Sequence, residues 1–406
     1  MPFNEGIPQK EKQMRKSLSF FVLGGLVMSA ALTGCDGSSS TKTIHLQLVP
    51  SVDASKLTPL ADSLVPFLNS YVSGYEFEID VGASYSATTS ALVSGQVDGA
   101  FLPAANYAQV SLENPGKVDV LLSAARAGYK VQADDFPGFT DDAKETQRKA
   151  MNGEITSSGA AVTSANASEA YSYHGEQSTT TVSYYSGVVY CLRDEYREQL
   201  GLTDLDLDHD GTVTLKEVHD SKAIVGIMET GSSSGYVYPN KLFYDAGYTK
   251  GFVDKDTYNS LSDSDKDKAI ISTKQGTYNE AVTKIMDGTI DVTLGYFDTR
   301  YGAAYVTDTS AYHNDPAVFD KTYTIAITDP IMNDTVSVYK DTDDGMRNAI
   351  KVALKAAAAD GDKNTEGTAA YYLYQIYSHT GYKDASDSDY DKAREMYTWT
   401  QEHTNS

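Results

Sequence analysis

The chain has 406 residues, enough for two or three domains, and carries 33 basic against 56 acidic side chains, a formal net charge of −23. This charge argues against nucleic acid as a main partner and against docking on an anionic membrane face, since both require clustered lysine and arginine. With two cysteines in the whole chain, a disulfide scaffold, a zinc ribbon or an iron–sulfur site is not expected.

Residues 1–34 have the pattern of a secretory signal peptide. Basic residues precede an apolar run from Leu18 to Leu32, which is shorter than the roughly 20 residues of a bilayer span. The run ends in Leu32-Thr33-Gly34-Cys35, which resembles the bacterial lipobox, in which the cysteine is acylated, for example with palmitate. The alternative is a plain signal peptide with a chance cysteine. We therefore expect a tether over residues 35–43, a lipid anchor at Cys35 and a buried free thiol at Cys191.

Strands and helices alternate from the tether to about residue 122. Apolar residues recur at helical spacing in the first predicted helix, and glycine or proline punctuates the later elements. This alternation is typical of an α/β domain with a mostly parallel sheet. The predicted strands are Ile44–Val49, Glu76–Val81, Val97–Leu102 and Val118–Leu122, and the predicted helices are Leu57–Tyr71, Tyr85–Ser94 and one that follows Pro103.

Residues 133–181 differ in composition from the rest of the chain. They are rich in Ala, Ser, Thr and Gly and poor in large aliphatic residues, so we interpret them as a long surface insertion or flexible loop. A second α/β unit follows. It runs to about residue 320, with the predicted strands Tyr184–Leu192, Ala223–Met228 and Asp291–Tyr296 and the predicted helices Gly235–Tyr244 and Tyr278–Asp287. Beyond it we expect the further strands Thr322–Ile327 and Val336–Tyr339 and the helices Asp344–Ala358 and Tyr371–Tyr377.

A serine-rich loop, Thr230–Tyr236 (TGSSSGY), connects a predicted strand to a predicted helix. In open α/β sheets, ligands bind beyond the carboxyl ends of strands, often at helix N-termini. Three hydroxyls and the free N–H groups of the helix start could hold a tetrahedral oxyanion without net positive charge. The alternative is an ordinary Ser-rich loop with an N-cap. Two other helix starts, at Ser84 and at Asn106-Tyr107, carry similar donors.

An ordered set of short stretches carries a family resemblance. They are Leu48–Ser51 (LVPS), Ala83–Thr88 (ASYSAT), Gly95–Pro103 (GQVDGAFLP), Ser232–Pro239 (SSSGYVYP), Gly288–Asp298 (GTIDVTLGYFD), Asp329–Tyr339 (DPIMNDTVSVY) and Tyr382–Asp391. In this order they resemble the substrate-binding proteins of phosphate, phosphite and phosphonate ABC transporters. The resemblance implies an α/β, two-lobed, type II periplasmic-binding-protein-like fold that closes on a phospho-oxyanion.

The resemblance also implies a division of the chain. Residues 44–125 and a returning segment, 322–406, would form the N-lobe. Residues 126–182 would be a flexible insertion and crossover, and residues 183–321 would form the C-lobe.

Matched to the family, the serine loop would bind the anion from the C-lobe, and the helix start at Ser84 would do so from the N-lobe. Asp298 matches a cleft carboxylate, which could accept a bond from a protonated ligand oxygen or an amine; the alternative is a solvated aspartate at a strand end. Tyr278 stands where many relatives have histidine, and Arg126 and Arg300 are more typical of surface charges. The predicted ligand-binding residues are Ser84, Tyr85, Ser86, Tyr107, Tyr185, Ser232, Ser233, Ser234, Gly235, Tyr278 and Asp298.

Residues 206–217 fit the twelve-residue EF-hand loop at every position, with Gly211 at the sharp turn. The alternative is an acidic loop in an acidic protein. The pattern predicts a structural Ca²⁺ that braces the C-lobe. The predicted ligands are Asp206, Asp208, Asp210, Thr212, Thr214 and Glu217.

The sequence thus favours a solute-binding lipoprotein of an ABC importer rather than an enzyme. Its expected partners are a small phosphonate-, phosphite- or phosphate-like anion, a membrane permease and the membrane itself through the lipid, with no nucleic acid and the protein as a monomer. Two alternatives stay open: a calcium-stabilised extracellular sensor or adhesin, and a hydrolase on the same fold, which would need a nucleophile with a base.

Overall fold

The computed structural model describes residues 41–50, 54–305 and 315–404. The predicted signal peptide and the lipidation site at Cys35 lie outside the described residues. Within the described ranges, no helix combines the length and the apolar character that a membrane span requires.

The described chain forms two β-sheets with helices packed on their faces. The strands are β1 Lys42–Leu48, β2 Tyr75–Val81, β3 Gly99–Leu102, β4 Val118–Tyr129, β5 Gln177–Val182, β6 Tyr184–Leu192, β7 Val225–Ile227, β8 Gly251–Val253, β9 Ala269–Lys274, β10 Val292–Tyr296, β11 Thr322–Met332, β12 Thr335–Tyr339 and β13 Gly381–Asp384. The helices are α1 Ala54–Tyr71, α2 Tyr85–Val93, α3 Ala104–Glu113, α4 Asp141–Met151, α5 Asp194–Gln199, α6 Leu215–Asp220, α7 Tyr238–Asp245, α8 Lys255–Ser260, α9 Asp263–Lys266, α10 Tyr278–Met286, α11 Arg300–Tyr305, α12 Val318–Lys321, α13 Asp344–Ala359, α14 Ala369–Tyr377 and α15 Asp391–Thr404.

The first sheet, the core of the first lobe, has the strand order β13–β4–β12–β3–β1–β2, with β5 paired to β4. β1 is parallel to β2 and β3, whereas β12 runs antiparallel to β3 and β4, and β13 and β5 run antiparallel to β4. β1, β2, β3 and β4 therefore share one direction, and the sheet is mixed, as the fold class implies. β12 returns from the other lobe and enters this sheet against the direction of its neighbours.

The second sheet, the core of the second lobe, has the order β11–β6–β10–β7–β9–β8. β10, β7, β9 and β8 are parallel, and β6 and β11 form the antiparallel end. β11 pairs with β6 along its length, so the chain does not return to the first lobe at residue 322, as predicted, but only after Met332. Alternating buried residues do not reveal which of two sheets a strand joins, and this explains the misplaced boundary.

Apolar stripes fix the helices on the first sheet. In α1 the buried residues Leu57, Ala61, Leu64 and Leu68 recur at three- and four-residue intervals, which place them on one face of the helix. This face packs with α13 and α14 against one side of the sheet. On the other side, α2 and α3 pack beneath α15.

Asn333 lies where the chain crosses between the lobes. Its buried amide Nδ2 donates to the carbonyls of Ala124 (3.0 Å) and Val182 (2.9 Å), and its backbone N–H donates to the carbonyl of Ser183 (3.0 Å). One side chain thus ties three crossing segments together, which makes this the structural hinge between the sheets.

The flexible insertion predicted over residues 126–182 is wrong. This segment contains α4 and β5, and Ala150, Met151 and Tyr173 pack into the core of the second lobe. Composition misleads here because the segment is fixed by small residues, tyrosines and a polar network rather than by aliphatic side chains. Arg148, nine-tenths buried, donates to Glu154 at 2.8 Å and to the hydroxyl of Tyr323 at 2.7 Å.

Candidate functional site

The serine loop forms a concave cradle of donors in the second lobe. It leaves the end of β7 and enters a wide, π-type turn, Ser233–Val237, that leads into α7. Ser232 caps this turn by accepting the N–H of Gly235 at 3.2 Å. A side chain at Gly235 would lie 2.3 Å from Met228, so the backbone can pass here only as glycine. The helix predicted from Gly235 onward therefore begins later: residues 235–237 belong to this turn, and α7 begins at Tyr238.

The hydroxyl of Tyr278, at the start of α10, occupies the cradle. Its oxygen lies 2.7 Å from Oγ of Ser232 and 3.0 Å from Oγ of Ser234. Burial raises the pKa of Tyr278, while its hydrogen bonds with the two serines and with the Gly235 amide act in the opposite direction. These groups therefore favour negative charge on an oxygen at this point, which is the property required of an oxyanion site.

The helix start at Ser84 contributes differently from what was predicted. Oγ of Ser84 accepts the N–H of Ala87 at 3.1 Å, so this serine caps α2, and Ser86 is exposed. Tyr85 is half-buried, and its pKa is raised first by burial and then by the neighbouring Asp334 and Tyr278. Tyr85 is thus the residue of this start that lies near the cradle of the second lobe.

Tyr185 and Tyr296 extend the aromatic surface beside Tyr278. The rings of Tyr278 and Tyr296 meet edge to face, with centroids 4.9 Å apart. The guanidinium of Arg126, from β4 of the first lobe, lies 5.5 Å from the ring centroid of Tyr185 in the second lobe. Burial raises the pKa of Tyr185, which keeps its phenol neutral.

Arg126 is a site residue that sequence reasoning undervalued. It donates to the carboxylate of Asp334 (2.5 Å) and to the carbonyl of Tyr377 (3.2 Å), and His379 contacts the same carboxylate at 3.1 Å. Burial acts to raise the pKa of Asp334, but Arg126 and His379 together hold it below its usual range. The available signal was a single arginine inside a run of small residues (SAARAG) in a buried strand.

Asp298, predicted to face the ligand, is instead part of a buried ion pair. It is 1 % exposed and accepts bonds from Nη2 of Arg300 at 2.7 Å, from the Arg300 backbone N–H at 2.9 Å and from the hydroxyl of Tyr190 at 3.0 Å. The guanidinium also lies over the Tyr190 ring, 4.5 Å from its centroid. These partners occupy both carboxylate oxygens, so Asp298 stabilises the second lobe rather than contacting a ligand.

Tyr107, predicted at the cleft wall, lies in the core of the first lobe. It is 1 % exposed, its ring packs edge to face on Tyr390, and its hydroxyl donates to Asp387 at 2.6 Å. Helix α3 turns the preceding residue, Asn106, toward the second lobe instead, because adjacent helical residues point about 100° apart.

In the acidic loop 206–217, three of the six predicted ligands converge. Ligand oxygens of Asp206, Asp208 and Asp210 lie within 4.8 Å of one another. Gly211 has φ of +89°, which allows the sharp turn, and α5 and α6 flank the loop. Thr214 caps α6, and the carboxylate of Glu217 accepts the N–H of Thr214 at 2.9 Å and the N–H of Leu207 at 2.8 Å. The donor set is entirely oxygen, which fits a hard cation such as Ca²⁺.

Cys191 agrees with the sequence prediction. It is fully buried in β6 and is a free thiol within the part of the chain that the structure describes. Burial raises its pKa to about 12, so it behaves as an inert apolar side chain.

The family model of periplasmic substrate-binding proteins of phosphonate ABC transporters matches residues 207–390. The comparison with curated proteins found no match.

Three solved structures share the fold at low sequence identity. PhnD1 from Prochlorococcus marinus, in complex with methylphosphonate, has a TM-score of 0.53 and 11% identity over 89% of this chain and 99% of its own. A binding-protein component of a phosphonate ABC transporter from Pseudomonas aeruginosa has a TM-score of 0.51 and 11% identity over 90% and 88%. XAC2383 from Xanthomonas citri, bound to ATP, has a TM-score of 0.53 and 15% identity over 90% and 99%.

At these identities the structures establish the fold, and the family model adds a sequence relationship over the second lobe and the returning segment. The match includes the cradle, Tyr278 and the acidic loop. The chain therefore has the fold of these binding proteins, and its residues 207–390 match the family of periplasmic substrate-binding proteins of phosphonate ABC transporters.

Proposed function

We propose that this protein captures a phosphonate-, phosphite- or phosphate-like oxyanion between its two lobes and delivers it to an ABC permease. It does so as a monomer anchored through lipidated Cys35, without catalysing a reaction. One observation carries the proposal: Ser232, Ser234 and the amide of Gly235 converge on a single oxygen, that of Tyr278, and favour negative charge there. The family match over the same loop supports it.

Neutral donors suit this task in a protein of net charge −23. Hydroxyl and amide dipoles that are already oriented stabilise an anion without the reorganisation that water would need. Arg126 supplies one positive charge at the boundary between the lobes, although Asp334 partly neutralises it. An arrangement of this kind selects an anion by hydrogen-bond geometry more than by total charge.

Tyr278 gives the cradle a partner when no ligand is bound. A buried hydroxyl without an acceptor or donor costs free energy, and the phenol satisfies both serines. Binding then exchanges the phenol oxygen for an anion oxygen, while the phenol proton becomes available to donate to the ligand. This exchange keeps the site closed to water in the free protein and costs few hydrogen bonds on binding.

The test is calorimetric titration of the chain from residue 36 onward with methylphosphonate, phosphite, phosphate and sulfate. We expect at least one phosphorus oxyanion to bind one to one. Ser234→Ala should weaken binding by roughly 10- to 100-fold, because a hydrogen bond to a charged group contributes about 1.5–3 kcal/mol. Ser90→Ala, an exposed serine on α2, is the matched control and should bind as the wild type does.

Two results would contradict the proposal. One is the absence of binding by every phosphorus oxyanion in the panel. The other is equal affinity in the Ser234→Ala and Ser90→Ala proteins, which would separate the cradle from any binding that occurs. Release of phosphate from an ester by the same preparation would favour the hydrolase alternative.

We also propose that residues 206–217 bind a structural Ca²⁺. The convergence of three carboxylates and the exclusively oxygen donor set support this proposal. Asp206, Asp208, Asp210, the Thr212 carbonyl, Thr214 through water and Glu217 would hold the ion. Leu205 directly precedes the loop and Val213 lies within it, and both are buried in the core of the second lobe. An ion in the loop would therefore stabilise that core.

A further inference from the structure

A cavity of about 280 Å³ lies beside the cradle, where three parts of the chain meet. The first lobe contributes the start of α3, with Asn106 and Gln109. The second lobe contributes residues 230–231 and 236–238, which flank the three serines in sequence. The C-terminal helix α15 closes the cavity with Met396 and Tyr397. The cradle side chains do not line the cavity, but Gly231 and Tyr236 border the four cradle residues along the backbone, which makes the cavity the neighbouring space for a group attached to an anion in the cradle.

The lining has a definite chemistry. Tyr236, Tyr238, Met396 and Tyr397 supply aromatic and thioether surface, and among the described residues that line the cavity none is charged. Uncharged polar side chains complete the lining: Asn106, Gln109, Thr230, Thr400 and Gln401. Asn106 is the one on which the argument rests. This residue is 9 % exposed, and its Oδ1 has no hydrogen-bond donor in the described structure. A buried acceptor without a donor costs free energy, which a ligand can recover.

We propose that this cavity receives an uncharged organic substituent of the bound oxyanion, with a hydroxyl group that hydrogen-bonds to Asn106. This inference rests on the proposed function and specifies its substrate class. The aromatic and thioether side chains contact the carbon skeleton, and rotation of the carboxamide of Asn106 presents either its oxygen or its nitrogen to the hydroxyl. A substituent that carries an ammonium group is disfavoured, because the lining offers it no carboxylate.

The position of the cavity adds a further consequence. Its walls come from both lobes and from α15, so a substituent contacts all three only when the lobes are closed. Contacts made only in the closed state stabilise that state relative to the open one. A larger substituent should therefore increase affinity in two ways, by burying apolar surface and by stabilising the closed state.

The experiment is calorimetric titration with methylphosphonate, propylphosphonate, 3-hydroxypropylphosphonate and 3-aminopropylphosphonate. Each buried methylene contributes about 0.8 kcal/mol, so we expect propylphosphonate to bind up to roughly fourfold more tightly per added methylene than methylphosphonate. The hydroxyl should add about two- to tenfold over propylphosphonate. The amine should bind more weakly than either three-carbon analogue.

Two variants localise the effect. Asn106→Leu keeps the side-chain volume and should remove the preference for the hydroxyl while leaving the affinity for methylphosphonate as in the wild type. Ala105 lines the same cavity. Ala105→Phe should fill the cavity and so remove the gain in affinity from the propyl chain, while methylphosphonate still binds. Ser234→Ala should weaken all four ligands by a similar factor, because it acts on the shared anion.

The outcomes distinguish this inference from the proposed function. If methylphosphonate binds through the cradle but a longer chain or a hydroxyl adds nothing, the cavity is not a substituent site and the inference is overturned. The same holds if Asn106→Leu retains the full preference for the hydroxyl. If none of the four phosphonates binds but phosphite or phosphate does, the inference is overturned and the proposed function stands. If phosphite and phosphate do not bind either, the proposed function fails.

Discussion

Asp298 and Arg300 show how the meaning of a single residue depends on its partners. Both side chains are inaccessible to solvent, and Nη2 of Arg300 lies 2.7 Å from Oδ2 of Asp298. Removing one charge of such a pair leaves the other unpaired in a medium of low polarity. We expect Asp298→Asn to lower the free energy of unfolding by about 3–5 kcal/mol in denaturant titrations, while the remaining folded protein binds anions as the wild type does.

The matched control for that substitution is Glu395→Gln, which breaks the exposed contact with Lys392. Exposed pairs contribute little, so this variant should unfold as the wild type does. Loss of anion binding by folded Asp298→Asn, with unchanged stability, would return Asp298 to the cleft and contradict the structural assignment.

His379 makes stability depend on pH. Burial lowers the pKa of this imidazole below its ordinary value of 6.5, although the adjacent Asp334 acts against the shift. The unfolded chain therefore binds the proton more readily than the folded protein, and stability is lost as pH falls from about 6.5 toward the lower folded pKa. Asp334, whose folded pKa is also depressed, extends the loss to lower pH. In denaturant titrations at several pH values, His379→Gln should reduce the change of the free energy of unfolding with pH just below pH 6.5. An unchanged pH dependence in this variant would exclude His379 as its cause.

At the scale of elements, the acidic loop provides a direct test of metal binding. Ca²⁺ that binds only the folded state stabilises it by about 2.7 kcal/mol when its concentration is 100 times the Kd. We therefore expect the melting temperature to rise with Ca²⁺ and to fall with a chelator. Asp208→Asn should reduce this response, whereas Asp204→Asn, just outside the twelve-residue loop, should retain it. A melting temperature that Ca²⁺ and chelator leave unchanged would contradict the proposal.

Elements were predictable where the periodicity of apolar residues is strong. Helix α1, with its stripe from Leu57 to Leu68, and the cap at Ser84 follow from local sequence. The order of segment 126–182 did not, because contacts such as that of Arg148 with the hydroxyl of Tyr323 join residues distant in sequence. The cradle could be located from its serines and glycines, whereas the only local signal for Arg126 is its place in a run of small residues, and its contacts with Tyr185 and Asp334 join residues far apart in sequence.

At the scale of the whole molecule, α15 connects the two lobes. It packs along α3 of the first lobe, and its Trp399 contacts the second lobe, with the ring 5.3 Å from that of Tyr244 and 5.6 Å from Nζ of Lys241. Trp399 is the single tryptophan of the chain. Any ligand-dependent motion between the lobes should therefore change its fluorescence.

We expect methylphosphonate to shift the emission of Trp399 with the same midpoint as the calorimetric titration. Trp399→Phe should abolish the signal without altering the calorimetric affinity, because Trp399 lies outside the cradle and the cavity lining. A saturating ligand that leaves the emission unchanged would mean that α15 does not move relative to the second lobe on binding.

The central claim is that the serine cradle binds the anion, and a crystal structure with methylphosphonate tests it most directly. The account predicts the phosphorus atom in the cradle, with its oxygens within hydrogen-bond distance of Ser232, Ser234 and the Gly235 amide and with the Tyr278 hydroxyl displaced from its present position. Methylphosphonate bound elsewhere, with Tyr278 still bonded to both serines, would contradict the account.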